Sequence, residues 1–189
     1  MLITINPMIN IFSKYSSFNK LTRIIAYCHR FVRYSRKRGI KGPLIVEELI
    51  RSEKTIIRII QQEGFPEEVQ ALKNERKLNT RSKILMLHPF LDGEHLLRVG
   101  GRLQQATVPE GHKHPLVLPA KHFITRMMMR ETHVKLKHCG PEQLLNSVRT
   151  KYWPISGRRE ARKITRSCIA CFKFKPKKFD TIMAELPES

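Results

Sequence analysis

A chain of 189 residues has room for one ordinary domain or for two small ones with thin cores. Its 36 Lys and Arg against 16 Asp and Glu leave a net charge of +20, which points to a polyanionic partner, nucleic acid before any other. No run reaches the roughly eighteen apolar residues of a membrane span, and the stretch from Met1 to Phe12 lacks the basic start of a secretory signal, so neither a membrane nor a secreted role is expected.

An intracellular compartment follows, nuclear where the chain acts on DNA, and there thiols two residues apart read as metal ligands or redox groups before disulfides.

Residues 1–17 show no sustained period and read as a disordered lead-in. Residues 18–82 read as a helical linker. Leu21, Ile24, Ile25, Cys28, Phe31 and Val32 recur at helical spacing until Gly39 and the Gly42-Pro43 pair, and Cys28 is expected in the core of that helix. Ile45, Leu49, Ile56, Ile57 and Ile60 mark a second helix, with Glu47 and Glu48 at its amino end and Gly64 as its stop. Pro66 followed by Glu67 and Glu68 opens a third, reaching about Lys73.

Residues 83–119 turn extended. The apolar runs Ile84 to Leu87, Leu96 to Val99 and Leu116 to Leu118 lie among Pro89, Gly100-Gly101, Pro109, Gly111, Pro115 and Pro119, and fit two or three short strands. The stretch from Leu96 to Leu103 lacks the third glycine and the following helix of a dinucleotide loop. His112, His114 and His122 lie in or beside loops and are expected to be solvated.

From Ala120 the helical period returns through Phe123, Ile124, Met127, Met128, Glu131 and Val134. A second helix starts at Pro141, carries Leu144, Leu145 and Val148, and ends before Trp153-Pro154. Gly157 opens a third, with Ala161 and Ile164 inside it. Met127, Met128, Leu144, Leu145, Val148, Tyr152, Trp153 and Ile164 are assigned to a small core. The expected fold is mainly α: a zinc-stapled three-helix module over residues 120–178, preceded by the helical segment and the short strands, with residues 179–189 as a tail.

His133, His138, Cys168 and Cys171 carry the chemistry. Two imidazoles and two thiolates are a donor set that zinc closes tetrahedrally, with no position left for water, which is the pattern of one structural ion. Five helical steps place His133 and His138 about 140° apart, so the first helix must end between them, and Gly140-Pro141 fits such a break. A redox CxxC of the thioredoxin kind would instead start a helix that follows a strand. Cys139 could replace His138 as a ligand or stand as a free thiol. Arg149, Lys151, Arg158, Arg159, Arg162, Lys163 and Arg166 remain for the outside, where they would meet phosphates.

The set His133, His138-Cys139-Gly140-Pro141, Tyr152-Trp153-Pro154, Arg158-Arg159, Arg162 and Cys168-Ile169-Ala170-Cys171-Phe172 resembles the His2Cys2 zinc-binding domain at the amino end of retroviral-type integrases. It is most similar to the version in polyproteins of BEL/Pao-type LTR retrotransposons. Pro89-Phe90-Leu91-Asp92, Leu97 to Leu103 and His114-Pro115-Leu116 resemble stretches upstream of that domain, and Ala26 to Phe31 resembles the segment joining it to the RNase H part.

The resemblance implies zinc on His133, His138, Cys168 and Cys171, and a basic third helix facing DNA or a neighbouring integrase subunit. It also implies a two-metal catalytic core beyond Met183 to Ser189, which the sequence does not contain, so neither an enzymatic activity nor a small-molecule substrate is expected. A zinc-stabilised module for an acidic protein partner is the alternative expectation.

Overall fold

The computed structural model describes Phe12 and residues 14–35, 42–101 and 110–174. Most of the lead-in, the stretch from Arg102 to Pro109, the basic tract beyond Phe174 and the tail at 179–189 lie outside the described residues. Among the described residues the fold is mainly helical with a small four-stranded sheet, in keeping with the class read from the sequence. No described helix is long and apolar enough to cross a membrane.

Helix α1 (Phe18–Ser35) begins where the Ser17 hydroxyl accepts the Lys20 amide at 3.3 Å. Leu21 and Ile25 turn inward against α2 (Val46–Gly64), whose Ile56, Ile57 and Ile60 are fully buried. Phe12, Leu96, Leu116, Leu118, Ile124, Met127 and Met128 complete this cluster, so the main core draws on the chain from Phe12 to Met128. Tyr15 packs on its edge.

The far half of α1 departs from expectation. Cys28 is exposed rather than buried, and Phe31 is 74% exposed. The apolar stripe continues there, but α2 meets it through polar groups: His29 lies 3.2 Å from the Thr55 hydroxyl, and Arg30 grips both Glu48 oxygens at 2.6 Å. Arg30 also donates to the carbonyls of Gly42 and Pro43, closing the connection between the two helices. Glu48 in turn accepts the Ile45 amide at 3.0 Å, capping α2. The hydrogen bond from Arg30 and then that from the Ile45 amide hold the Glu48 carboxyl down at about 2.

Gly64 closes α2 for a packing reason, because a Cβ there would sit 2.4 Å from the Pro119 ring. Helix α3 (Pro66–Lys73) follows at once, with proline at its first turn and Val69 buried.

Strands β1 (Phe90–Leu91), β2 (Leu97–Arg98), β3 (Leu116–Leu118) and β4 (Tyr152–Pro154) pair in that order, antiparallel twice and then parallel between β3 and β4. Two expectations need correction here. Ile84 to Leu87 is a 3-10 turn (Leu85–Leu87) rather than a strand: Leu87 bonds back to Ile84, and of the four side chains Ile84 is buried while Met86 is 87% exposed. Tyr152-Trp153-Pro154 is a strand and not merely a helix stop. A three-residue strand shows no period of its own, and its partner β3 lies far upstream.

The short helix α4 (Glu110–Lys113) precedes β3. His114 and His122 are not solvated as expected. His114 Nδ1 lies 2.9 Å from the Val99 carbonyl, and its ring meets Phe90 edge-on. His122 accepts the Ile124 amide at 3.2 Å, and its other nitrogen is 3.1 Å from Glu63. His112 is exposed.

One step along the ladder from the Arg98 and Leu116 pair, Leu97 and Val117 face each other, and the buried Gln61 carboxamide stands between them. It donates to both carbonyls and accepts the Leu97 amide, each at 2.8 Å. Helix α2 is thereby tied to two strands by one side chain.

Helices α5 (Phe123–Lys135), α6 (Pro141–Arg149), α7 (Gly157–Ser167) and α8 (Ile169–Lys173) complete the chain. They pack on the upstream part. Glu131 of α5 accepts the Phe18 amide at the start of α1 at 2.5 Å, and Glu53 of α2 takes the Tyr152 hydroxyl and the Lys151 ammonium.

Replacing Gln61 by Leu keeps the bulk but orphans three buried backbone groups, which should cost on the order of 3 kcal/mol in urea unfolding. Glu48, lowered from 4.5 to about 2 in the folded chain, stabilises above pH 4.5 and loses that contribution as pH falls through about 2. The gap in urea midpoint between the parent and Glu48→Gln should therefore be full at pH 6 and shrink steadily below pH 4.5; a gap independent of pH would contradict the ion pair with Arg30.

Candidate metal centre

Helix α5 delivers His133, fully buried, on its last turn. The helix then stops in a Schellman arrangement: the Lys137 amide bonds the Val134 carbonyl at 3.0 Å and the His138 amide bonds the His133 carbonyl at 2.9 Å. Neither left-handed position is a glycine. Lys137 and His138 have φ of 55° and 63°, at a cost on the order of 1 to 2 kcal/mol each. The reversal swings the His138 ring back beside that of His133, which the straight helix could not do.

Cys168 and Cys171 arrive from the other end of the module. Cys168 is the extended residue between α7 and α8, and Cys171 lies one turn into α8. A redox-type CxxC would start a helix that follows a strand; this one does start a helix, α8, but follows the helix α7. The four donor atoms of His133, His138, Cys168 and Cys171 lie within 4.8 Å of one another, and among the described residues this is the one group of three or more such side chains placed to hold a metal. His138 Nδ1 is 3.3 Å from His133 Nε2 and 3.2 Å from Cys168 Sγ, and Cys171 Sγ is 3.3 Å from His133 Nε2.

These separations test the fit to an ion. Zinc bonds of about 2.05 Å to nitrogen and 2.3 Å to sulfur require tetrahedral edges of roughly 3.3 Å between nitrogens and 3.6 Å between nitrogen and sulfur. The imidazole pair matches that edge, and the nitrogen-sulfur distances are slightly short of it. His133 Nδ1 lies 3.1 Å from the Cys139 carbonyl, so its proton resides there and Nε2 is the free donor. The residues fit zinc.

Burial first, then the neighbouring His138, keeps the His133 imidazole below its ordinary range, which favours the neutral, metal-binding form. The Cys171 amide lowers the Cys168 thiol, while desolvation first and then Cys168 itself raise Cys171.

Cys139 stands outside the set. Its thiol is buried with Met129, Leu144, Leu145, Val148 and Ala161, and its contribution to the centre is the carbonyl. Nothing in the residue type signals that backbone role, so the sequence could not reveal it. Of the expected core, Tyr152, Trp153 and Ile164 are partly buried, and Met127 and Met128 belong to the main cluster around α1 and α2. Helix α7 is fastened by buried Glu160, which accepts from Arg126 of α5 at 3.0 Å, and by Gly157, whose Cβ would lie 2.8 Å from both Leu145 and Pro154.

The seven cations expected to meet phosphates do not all converge. Arg158, Arg159, Arg162, Lys163 and Arg166 project from α7 along one groove, which Arg149 joins from α6 with its guanidinium 4.3 Å from the centre of the Trp153 ring. Lys151 lies apart, on the Tyr152 ring and in an ion pair with Glu53.

Residues 121–177 match the family model described as the integrase zinc-binding domain, and the four clustered ligands all fall inside that stretch. No curated protein and no solved structure matches the chain.

Metal analysis by atomic emission should find one zinc per chain. Chelation should remove part of the helical circular dichroism signal, that of α6 to α8, since the cluster around α1 and α2 contains none of the four ligands. Cys168→Ser should lose the ion while Cys139→Ala keeps it; zinc retained in full by Cys168→Ser would remove that thiol from the ligand set.

Proposed function

We propose that the chain acts as an integrase-type zinc module associated with nucleic acid, with a single structural ion and no catalysis of its own. The observation that carries the reading is the cluster of His133, His138, Cys168 and Cys171 inside the stretch that matches the integrase zinc-binding domain. Four protein ligands leave no coordination position open to water or substrate, which is the mark of a structural ion. The ion would bind α8 to the end of α5, and thereby hold the carboxyl end of α7 in place.

Helix α7 supports the second part of the reading. Its outward residues are Arg158, Arg159, Arg162, Lys163 and Arg166, and its acid, Glu160, is turned inward to Arg126. The opposing exposed acid is Glu142, 3.5 Å from Arg158 and 3.8 Å from Arg162, and such exposed pairs contribute little against a phosphate. Contacts of this kind give affinity without sequence reading. The same helix could equally seat an acidic face of a neighbouring integrase subunit, as in an assembly held on DNA ends.

The upstream motifs favour an origin in an LTR retrotransposon polyprotein of the BEL/Pao kind. The stretches quoted for that resemblance, around Phe90, Leu97 and Leu116, are those that build β1, β2 and β3.

The double substitution Arg159→Glu with Arg162→Glu leaves the zinc ligands and the core untouched. It should weaken binding to a duplex DNA fragment at least tenfold and flatten the dependence of log affinity on log salt by about two. Duplex binding that survives the double reversal unchanged, with zinc still bound, would sink the nucleic-acid reading.

A further inference from the structure

Helix α7 forms only one wall of the groove it lines. Lys83, Met86 and Leu87, at and just before the 3-10 turn upstream of the matched domain, also line it, as do Trp153 and Ile155. The groove has a volume of about 1260 Å³, more than the roughly 300 to 1,000 Å³ of a small-molecule site. No Asp or Glu is among its described lining residues, although Glu142 reaches Arg158 and Arg162 from outside it.

The cross-section is amphipathic. Arg158, Arg162 and Arg166 recur every fourth residue, so their positions form a row along α7 at steps of about 6 Å. Lys83, Arg159, Lys163 and Arg166 make no ion pair among the described residues. Apolar surface lies in the same groove: Met86 is 87% exposed, a large thioether side chain held in water beside Lys83 and Leu87. Arg149 lies over the Trp153 ring with its Nε buried and without a hydrogen-bond partner, held by the ring rather than by an acid.

Resting on the nucleic-acid reading above, we propose that this groove binds a single-stranded polynucleotide, its phosphates along α7 and its bases against Met86 and the stacked pair of Arg149 and Trp153. A duplex turns its phosphates outward and keeps its base faces stacked, so it asks for a convex element that enters a groove of its own. A groove that combines a cationic helix with apolar and aromatic side chains matches a strand whose bases are free. An acidic peptide would satisfy the cations and leave the apolar surface unmatched.

Trp153 is the sole tryptophan of the chain and reports directly on the groove. The full zinc-loaded chain is titrated with decathymidylate, decauridylate, a blunt duplex of the same length and polyglutamate, following tryptophan emission together with anisotropy of a labelled strand. A single strand is expected to quench Trp153 and bind at least tenfold tighter than the duplex, with the thymidylate and uridylate arms telling DNA from RNA.

The exposed side chains Lys83 and Met86 can be changed without disturbing the core, so Lys83→Glu and Met86→Glu should each weaken the single strand about tenfold and leave the zinc content unchanged. Equal affinity for the duplex with no change in emission, or single-strand binding indifferent to both variants, overturns the groove proposal while nucleic-acid binding stands. Polyglutamate competing as well as decathymidylate reassigns the groove to an acidic protein. No binding of either nucleic acid removes the reading on which the proposal rests.

Discussion

The buried carboxamide of Gln61 is the joint on which the two ends of this protein are aligned. It fills the place where β2 and β3 would bond each other directly, satisfying three backbone groups from a helix far upstream of both strands. β3 then pairs in parallel with β4, which is the strand between α6 and α7. One amide and a three-residue strand therefore add to the direct packing of Ile124, Met127 and Met128 on α1 and α2 in setting the helices α5 to α8 against the amino-terminal helices. A neutral amide suits the place because it donates twice and accepts once, whereas a carboxylate would only accept.

Around that joint, polar side chains do what a small core cannot. Glu131 closes the start of α1, Glu53 takes Tyr152 and Lys151, and Glu48 takes Arg30 and the start of α2. Each of these acids satisfies a helix end or a cation from another element. The basic chain thus spends several of its few carboxylates on internal joints, and Arg159, Lys163 and Arg166 of α7 are left without an ion pair among the described residues, while Arg158 and Arg162 share the exposed Glu142. The charge pattern and the fold are two aspects of one distribution.

The metal centre combines local and tertiary causes. A Schellman stop with two left-handed residues brings His138 beside His133, and this strain is borne within six residues. Bringing the cysteines to them takes the whole path through α6, β4 and α7, fixed by Gly157 against Leu145 and by Glu160 against Arg126. An ion bound there would join the two ends of that path, adding cohesion where the cluster of Met129, Leu144, Leu145 and Val148 is thin.

The sequence by itself determined the longer helices between Phe18 and Ser167, because each carries a sustained period with proline or glycine near an end, but not the four-residue α4 or the 3-10 turn at Leu85–Leu87, which are too short to show one. It also pointed to His133, His138, Cys168 and Cys171, since spacing and donor type survive without knowledge of the fold, and the structure brings these side chains together. Tertiary structure alone decided the rest. Strand β4 exists because β3 lies beside it, Cys28 and Phe31 are exposed because α2 meets that half of α1 with polar groups, and His114 and His122 are bonded because the sheet and α2 come to them. Periodicity records which face of a helix is apolar; it does not record whether another element arrives to cover it, and that is settled only when the chain closes on itself.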